Sequence, residues 1–391
     1  MKIIMVTPAI PQPFGDTAAK WFCVLIRELL SHGHEVVCLT ASQDSPDRVH
    51  QAERLLRDGR ESGKLVFRWH SLKSNCGALQ RKLKSLRRPF SELLRDDDFM
   101  EDLRRHLEQG YDVLHLEHLF TGWVGLENPK ALLNIHHFEV IDWEGRKLNG
   151  FGERKTLWQM QRATTHILQR VSNMRLFTSR LLEKARSDNQ SARCWVLPFA
   201  LDVSLYPVQP IAEKPVVGLI GSMHWIPSRS AGERLLSRVW PLVKRRCPEA
   251  KLFIAGWNAR KYLSSYLPLP DVTITENLSH PVEFFSKVAV MPYAPSRGSG
   301  MKIKVLEAMA YGVPVVTTWE GVEGIEYENG LHCWVGEEDD AIAERVCLLL
   351  QDATARRRMR EAARSLVEEK YSPVPVVNGM MNIYSNVARS G

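Results

Sequence analysis

Hydrophobic and polar positions along the first 41 residues predict a strand, a helix and a second strand. The run KIIMVTP (2–8) is typical of a buried strand. In AAKWFCVLIRELLSHGHE (18–35) the apolar residues recur at helical spacing, so that Trp21 and Leu25 share one face. VVCLTA (36–41) predicts the second strand. This order is the unit from which doubly wound parallel sheets are built.

Five later apolar runs extend the same alternation. Histidine and glutamate follow several of them at the carboxyl end, which is the edge where open α/β sheets bind ligands. The predicted strands are KLVFRWH (64–70), YDVLHLEH (111–118), ALLNIHH (131–137), RLFTS (175–179) and CWVLP (194–198).

A stretch with three prolines, YPVQPIAEKP (206–215), predicts a linker, and the βα alternation restarts after it. We therefore expect two α/β domains, residues 1–206 and 207–371, each with a doubly wound parallel sheet. A C-terminal helix, 372–391, is expected to pack back on the first domain. Two open sheets that face each other would form a cleft, a favoured place for a ligand.

The segment GSGMKIKVLEAMAYGVPVV (298–316) predicts a glycine turn that leads into a helix. A helix N-terminus offers free N–H groups and a positive dipole end to an anion, and Lys302 and Lys304 add charge there. Two residues apart on a helix, they cannot both point the same way, and we favour Lys304. Glu307 lies where it could bind a ribose diol. The segment fits a sugar-nucleotide site or, equally, a capped surface helix with solvated lysines.

Composition narrows the class of protein. With 391 residues, 44% of them hydrophobic, the chain can bury two cores. We see no apolar run of about 18 residues, so we expect no membrane span. The N-terminus is typical of a strand, not of a signal peptide. Seven scattered cysteines without a CxxC pair indicate reduced thiols and favour a cytoplasmic protein.

The net charge of +7 is partly local, since Arg81–Arg88 carries five basic residues within LQRKLKSLRRPF. This stretch fits a solvated helix face or a patch that touches an anionic membrane, and we expect peripheral contact with the inner membrane face. Aromatic residues do not interleave with the charges, which argues against nucleic acid.

Three segments resemble the group 1 (GT4-like) retaining glycosyltransferases of the GT-B fold. VLPFALDVSLY (196–206) is similar to the family's inter-domain hinge, and VVGLIGSMHWIPSRSA (216–231) to its first strand and loop of the second domain. GSGMKIKVLEAMAYGVPVVTTWEGVEGI (298–325) is similar to its donor-nucleotide segment. The resemblance implies two Rossmann-like domains facing across a cleft. It also implies sugar transfer, without a catalytic metal, from a nucleotide-diphosphate sugar to an acceptor hydroxyl.

The resemblance has two departures. Phe199 and Ala200 replace Asn-Gly in the hinge, and Ser299 stands where many members carry the first acid of Glu-x7-Glu. Glu307 is the second acid of that pair. The missing acid normally lies near the transferred sugar, so the sugar and the route to retention stay open. UDP or GDP is the expected nucleotide.

The resemblance also implies roles for individual residues on the donor side. Lys304 and Arg229 would stabilise the leaving diphosphate, although Arg229 also fits a plain surface position. Gly15 lies in the first βα loop, where the family touches donor phosphate or acceptor. The implied donor-binding residues are Gly15, Gly221, Ser222, Gly300, Met301, Lys302, Lys304 and Glu307.

On the acceptor side, His136 aligns with a family histidine near the reacting carbon and is the implied third catalytic residue. His118, His137 and Glu139 follow strands at the same edge, and a structural role for such histidines is the alternative. Asp16 fits the acceptor side and, equally, an N-cap of the first helix.

Other functions remain open. His115, Glu117 and His118 imitate a metal-ligand set, but we expect no bound metal because the family works without one. An epimerase or hydrolase could use the same groups as an acid and base. Ser299 and the altered hinge also fit a non-catalytic nucleotide-sugar-binding scaffold, and the charge alone suggests transfer to DNA. The expected acceptor is a glycan, a lipid-linked glycan or a small molecule, as in glycan, glycolipid or natural-product biosynthesis.

Overall fold

The protein divides into two compact units. Unit 1 comprises Met1–Ala200 and Pro373–Gly391, and unit 2 comprises Leu201–Ser372. The structure is a computed structural model, and it describes residues 1–14, 16–72, 89–91, 96–144 and 150–389.

Unit 1 is built on one parallel sheet with the strand order β3-β2-β1-β4-β5-β6-β7. Its apolar strands are buried, as expected of a parallel sheet that is covered on both faces. The strands are β1 Lys2–Thr7, β2 Glu35–Ser42, β3 Leu65–Ser71, β4 Val113–Glu117, β5 Ala131–Ile135, β6 Asn173–Leu176 and β7 Arg193–Val196. Among the residues described before unit 2, the helices are α1 Thr17–Ser31, α2 Pro46–Leu55, α3 Arg57–Glu61, α4 Asp97–Glu108, α5 Glu139–Glu144, α6 Gly150–Leu168 and α7 Ser179–Asp188.

Helix α1 shows how the sequence determines one element. The Asp16 side chain accepts a hydrogen bond from the Ala18 backbone N–H at 2.8 Å and so caps the helix start. Trp21 and Leu25 are fully buried on its inner face. The helix ends at Ser31, and Gly33 follows with a φ of +81°.

Unit 2 contains two three-stranded parallel sheets, β10-β9-β8 and β11-β12-β13. The Gly218 N–H donates to the Val290 carbonyl at 3.0 Å, which joins β8 to the residues before β11. The strands are β8 Val216–Ile220, β9 Lys251–Ala255, β10 Val272–Thr275, β11 Met291–Tyr293, β12 Val315–Thr317 and β13 Trp334–Val335. The helices are α8 Ile226–Arg234, α9 Trp240–Arg246, α10 Ala259–Leu263, α11 Val282–Phe285, α12 Ile303–Tyr311, α13 Asp339–Gln351 and α14 Ala353–Lys370. A π-helical turn, Leu235–Val239, connects α8 to α9.

The boundary between the units differs from the predicted linker. Unit 2 begins at Leu201, and the predicted linker is held on unit 2 by hydrogen bonds. The Gln209 N–H donates to the Tyr311 carbonyl at 2.9 Å, and the Arg364 guanidinium donates to the Tyr206 carbonyl at 2.6 Å. The last helix, α15 Pro373–Ala388, belongs to unit 1.

Candidate functional site

Two glycines shape the carboxyl edge of the first sheet of unit 2. Gly221 follows β8 with a φ of +157°, and a Cβ there would lie 3.0 Å from both Lys304 Nζ and Ser228 Oγ. Gly256 follows β9 with a φ of +141°, and a Cβ there would lie 1.9 Å from the Gly221 carbonyl oxygen. The backbone at this edge therefore approaches its neighbours more closely than a side chain would allow.

Lys304 presents its ammonium group at this edge. Its Nζ donates a hydrogen bond to the Ser228 hydroxyl and lies 3.5 Å from the Tyr293 hydroxyl. It also lies 4.6 Å from the centre of the Trp225 ring and 4.7 Å from that of Tyr293. The side chain is half-buried, so two aromatic faces and a hydroxyl orient a cation that solvent still reaches.

Lys302 has a different environment. It is fully buried just before α12, where its ammonium donates to the Gly300 carbonyl at 2.6 Å and to the Glu323 carboxylate at 3.3 Å. These bonds hold the glycine turn in place. The structure therefore separates the two lysines, because Lys302 precedes the helix as its N-cap residue and Lys304 lies on the helix at the edge.

Glu307 lies one turn further along α12. Its Oε1 accepts a hydrogen bond from the Tyr206 hydroxyl at 3.1 Å. Burial raises the pKa of the Tyr206 phenol well above its usual value, and the Glu307 charge adds to this effect. Tyr206 thus stays protonated and fixes one carboxylate oxygen.

The other predicted donor residues lie in two neighbouring segments. Arg229, on α8, places its guanidinium 4.7 Å from the centre of the Tyr262 ring. Ser222 is exposed, and its carbonyl accepts from the Trp225 N–H at 3.3 Å. Met301, like Gly300, is buried. We did not single out Trp225, Ser228 or Tyr293 from the sequence, although Trp225 and Ser228 lie in the segment 216–231 that resembles the family.

Unit 1 brings together His118, His136, His137 and Glu139 at the carboxyl ends of β4 and β5. The rings of His118 and His136 stack with centroids 4.3 Å apart, and His137 meets His118 edge-on at 5.6 Å. His137 Nε2 lies 3.6 Å from Glu139 Oε1. Burial lowers the pKa of His118 and of His136, so both are neutral near pH 7.

Glu117, at the end of β4, connects His136 of this cluster to other buried side chains through hydrogen bonds. Its fully buried carboxylate accepts hydrogen bonds from Trp21 Nε1 at 2.6 Å, His115 Nε2 at 2.5 Å and His136 Nε2 at 2.7 Å. Burial alone would raise the pKa of Glu117, but the charge interactions and hydrogen bonds of the two histidines outweigh it and hold the pKa well below the usual range.

Two further groups complete the surroundings of Glu117. The Tyr384 hydroxyl, on α15, lies 2.7 Å from His115 Nδ1. The Arg175 guanidinium is fully buried over the rings of Trp21 and Phe177, and burial lowers its pKa to about 9. We did not predict Tyr384 or Arg175 because neither is near the cluster in sequence.

The remaining predictions concern Asp16, Gly15, the basic stretch Arg81–Arg88, a membrane span and a metal site. Asp16 caps α1 as described above. Gly15 and the basic stretch Arg81–Arg88 lie outside the described residues. Within the part of the chain that is described, no helix is long and apolar enough to cross a membrane. No three His, Cys, Asp or Glu side chains of those same residues group as ligands of a metal ion would.

Comparison with known proteins agrees with this architecture. Residues 214–352 match the family Glycosyl transferases group 1. A capsular polysaccharide biosynthesis glycosyltransferase, CapM of Staphylococcus aureus, is 30% identical over 129 residues, which cover 31% of this chain and 33% of CapM. The match thus spans about a third of that relative's length.

Solved structures resemble the whole chain. Sucrose-phosphate synthase from Thermosynechococcus elongatus superposes with a TM-score of 0.73 at 16% identity, over 100% of both chains. HepE of Anabaena, in complex with UDP and glucose, gives a TM-score of 0.70 at 12% identity, over 99% of this chain and 100% of HepE. The chain therefore has the GT-B fold of these structures. Its residues 214–352 are similar to the group 1 glycosyl transferases.

Proposed function

We propose that the protein transfers a sugar from a nucleotide-diphosphate sugar to a hydroxyl group of a glycan, lipid-linked or small-molecule acceptor. This proposal rests on the position of Lys304 at the carboxyl edge of the first sheet of unit 2. Its ammonium lies beside Ser228 and Gly221, and Glu307 lies one turn away on the same helix. A cation next to a helix N-terminus suits a diphosphate, and a carboxylate one turn away suits a ribose diol.

In this proposal, charge develops on the leaving diphosphate as the glycosidic bond breaks. Lys304, Arg229 and the positive dipole end at the start of α12 stabilise that charge. Lys302 supports the site indirectly, because its buried ion pair holds the turn at Gly300. UDP is the preferred nucleotide, which the UDP present in HepE supports.

We further propose that the anomeric configuration is retained by a front-face route, in which the departing phosphate helps to deprotonate the acceptor. Glu117 is fully buried and accepts three hydrogen bonds, so it is a poor candidate for a covalent nucleophile or for an epimerase base. His136 is the proposed contact near the reacting carbon. Its Nε2 is occupied by Glu117, which leaves Nδ1 for the substrate.

A calorimetric titration with UDP, GDP, CDP, dTDP and ADP tests the donor site. We expect UDP to bind best, and Lys304→Ala and Glu307→Ala each to weaken it at least tenfold. The matched control is Lys214→Ala, an exposed lysine two residues before β8, at the opposite edge of the sheet. Equal binding by all variants would contradict the proposed site, and tight binding without transfer to any acceptor would favour the scaffold alternative.

A further inference from the structure

A chain of four buried hydrogen-bonding groups connects the C-terminal helix to His136. It runs from the Tyr384 hydroxyl to His115 Nδ1, from His115 Nε2 to Glu117 Oε1, and from Glu117 Oε2 to His136 Nε2. The three bonds measure 2.7, 2.5 and 2.7 Å. Tyr384, His115 and Glu117 are fully buried, so water does not compete for these bonds.

The chemistry of the groups sets the direction of both bonds to Glu117. Because the Glu117 carboxylate is ionised, it can only accept, and both histidines must donate to it through Nε2–H. In its Nε2–H tautomer, His115 carries a lone pair on Nδ1, which accepts from the Tyr384 O–H. By the same reasoning, neutral His136 carries a lone pair on Nδ1. The chain thus selects one of the two tautomers of His136.

We propose that Glu117, backed by His115 and Tyr384, is a positioning residue that holds His136 as the Nε2–H tautomer with Nδ1 as a hydrogen-bond acceptor. His136 would then accept a hydrogen bond from a sugar hydroxyl and would not donate one. The part of this inference that concerns substrate rests on the proposed function of His136. The tautomer itself does not, and it can be measured in the free protein.

The charge balance of the cluster supports an ionised Glu117. The buried Arg175 guanidinium lies close enough for the two charges to interact, and the Glu117 charge favours the charged form of Arg175. A third donor, the Trp21 indole N–H, bonds Glu117 Oε1 at 2.6 Å. The Glu117 carboxylate is thus surrounded by three hydrogen-bond donors and a nearby cation. This environment is expected for a carboxylate that orients a histidine.

The decisive variant is Glu117→Gln, which has the same shape but one acceptor and one donor. Its carbonyl would serve Trp21 and His115, and its NH₂ group would face His136. We expect His136 to switch to the Nδ1–H tautomer, seen as an exchange of its two ring nitrogens in ¹⁵N spectra of the histidine-labelled full chain. His136→Asn identifies the signals.

Tyr384→Phe is the second variant, and Tyr371→Phe is its matched control. Tyr371 is also buried, and its hydroxyl makes one hydrogen bond, at 2.6 Å to the Glu326 N–H, in unit 2. We expect Tyr384→Phe to alter the ring-nitrogen signals of His115 and to reduce the Nε2–H population of His136, and Tyr371→Phe to leave both unchanged. A wild-type His136 with a protonated Nδ1 would overturn the inference, even if Glu117→Gln failed to fold.

Turnover of UDP-glucose separates this inference from the proposed function. If His136→Asn abolishes turnover and Glu117→Gln lowers kcat at least tenfold with little change in KM, both stand. If Glu117→Gln switches the tautomer of His136 but His136→Asn leaves turnover intact, the proposed role of His136 fails and the positioning relationship stands. If His136→Asn abolishes turnover but Glu117→Gln leaves the tautomer of His136 unchanged, only the positioning relationship fails.

Discussion

The Tyr206 hydroxyl donates a hydrogen bond to Glu307 Oε1 at 3.1 Å, across 101 residues of chain. Tyr206 is fully buried and packs edge-on against Tyr311, with centroids 5.1 Å apart. A residue near the start of unit 2 therefore orients the proposed ribose-binding carboxylate.

Replacing Tyr206 with Phe removes only the hydroxyl. We expect the affinity for UDP to fall about three- to tenfold, because a lost hydrogen bond to a carboxylate costs about 1 kcal/mol or somewhat more. Isothermal titration calorimetry measures the change, with Tyr371→Phe as the control. An unchanged affinity for UDP would show that the Tyr206 hydroxyl does not contribute to orienting Glu307.

Lys302 and Lys304 should differ in what they affect. Lys302→Met leaves the buried Glu323 carboxylate without its ion-pair partner, so we expect the free energy of unfolding to drop by about 3 kcal/mol. Lys304→Met should change stability by about 1 kcal/mol or less and should weaken UDP binding strongly. Urea unfolding and calorimetry on both variants test this division, and the reverse pattern would exchange the two roles.

Gly256 should tolerate no side chain. In Gly256→Ala the new Cβ meets the Gly221 carbonyl oxygen at 1.9 Å, so we expect a loss of about 2 kcal/mol or more in unfolding free energy. Gly336→Ala is the control, because its Cβ would lie 3.9 Å from its nearest neighbour. Thermal unfolding of the two proteins side by side gives the answer. Equal stability would mean that the edge at Gly221 is looser than described.

Acid should destabilise the protein through its buried histidines. Burial lowers the folded-state pKa of His118 and His136, as it does for His34 and His106. Below about pH 6.5 the unfolded chain therefore binds protons that the folded chain does not. The contribution of these neutral histidines to the free energy of unfolding is fully present above that pH. It decreases as the pH drops, by up to about 1.4 kcal/mol per pH unit for each histidine.

Urea unfolding at pH 7.5 and 5.5 measures this slope. His118→Gln should reduce the difference in unfolding free energy between pH 7.5 and pH 5.5, because the glutamine does not titrate. A stability that is level from pH 7.5 to 5.5 would contradict the low pKa of these histidines.

Local signals predicted much of the fold. The helical spacing of apolar residues and the Asp16 cap located α1 within a few residues. Gly312 follows the last residue of α12 with a φ of +76°, a conformation that glycine adopts readily at a helix end. Lys302 and Lys304 are separated for a reason that the helical spacing did not predict, because Lys302 is the N-cap residue of α12 and only Lys304 lies on the helix.

Contacts between distant residues could not be predicted in this way. The prolines after Tyr206 indicated a linker, but burial of Tyr206 against α12 decides where the unit begins. The contact between Tyr384 and His115 joins residues 269 apart, and no periodicity reports it. Helices α2 and α3 were not assigned, because they bury few side chains and so lack a strong apolar stripe.

The two ends of unit 2 lie side by side. The Leu201 N–H donates to the Tyr371 carbonyl at 2.7 Å, and the chain then returns to unit 1 as α15. Unit 2 therefore has the topology of an inserted domain, whose entry and exit are adjacent. Such a domain is suited to excision and to separate expression, with its new termini already paired. Deleting the last helix, in contrast, would damage the half of the molecule that is made first on the ribosome.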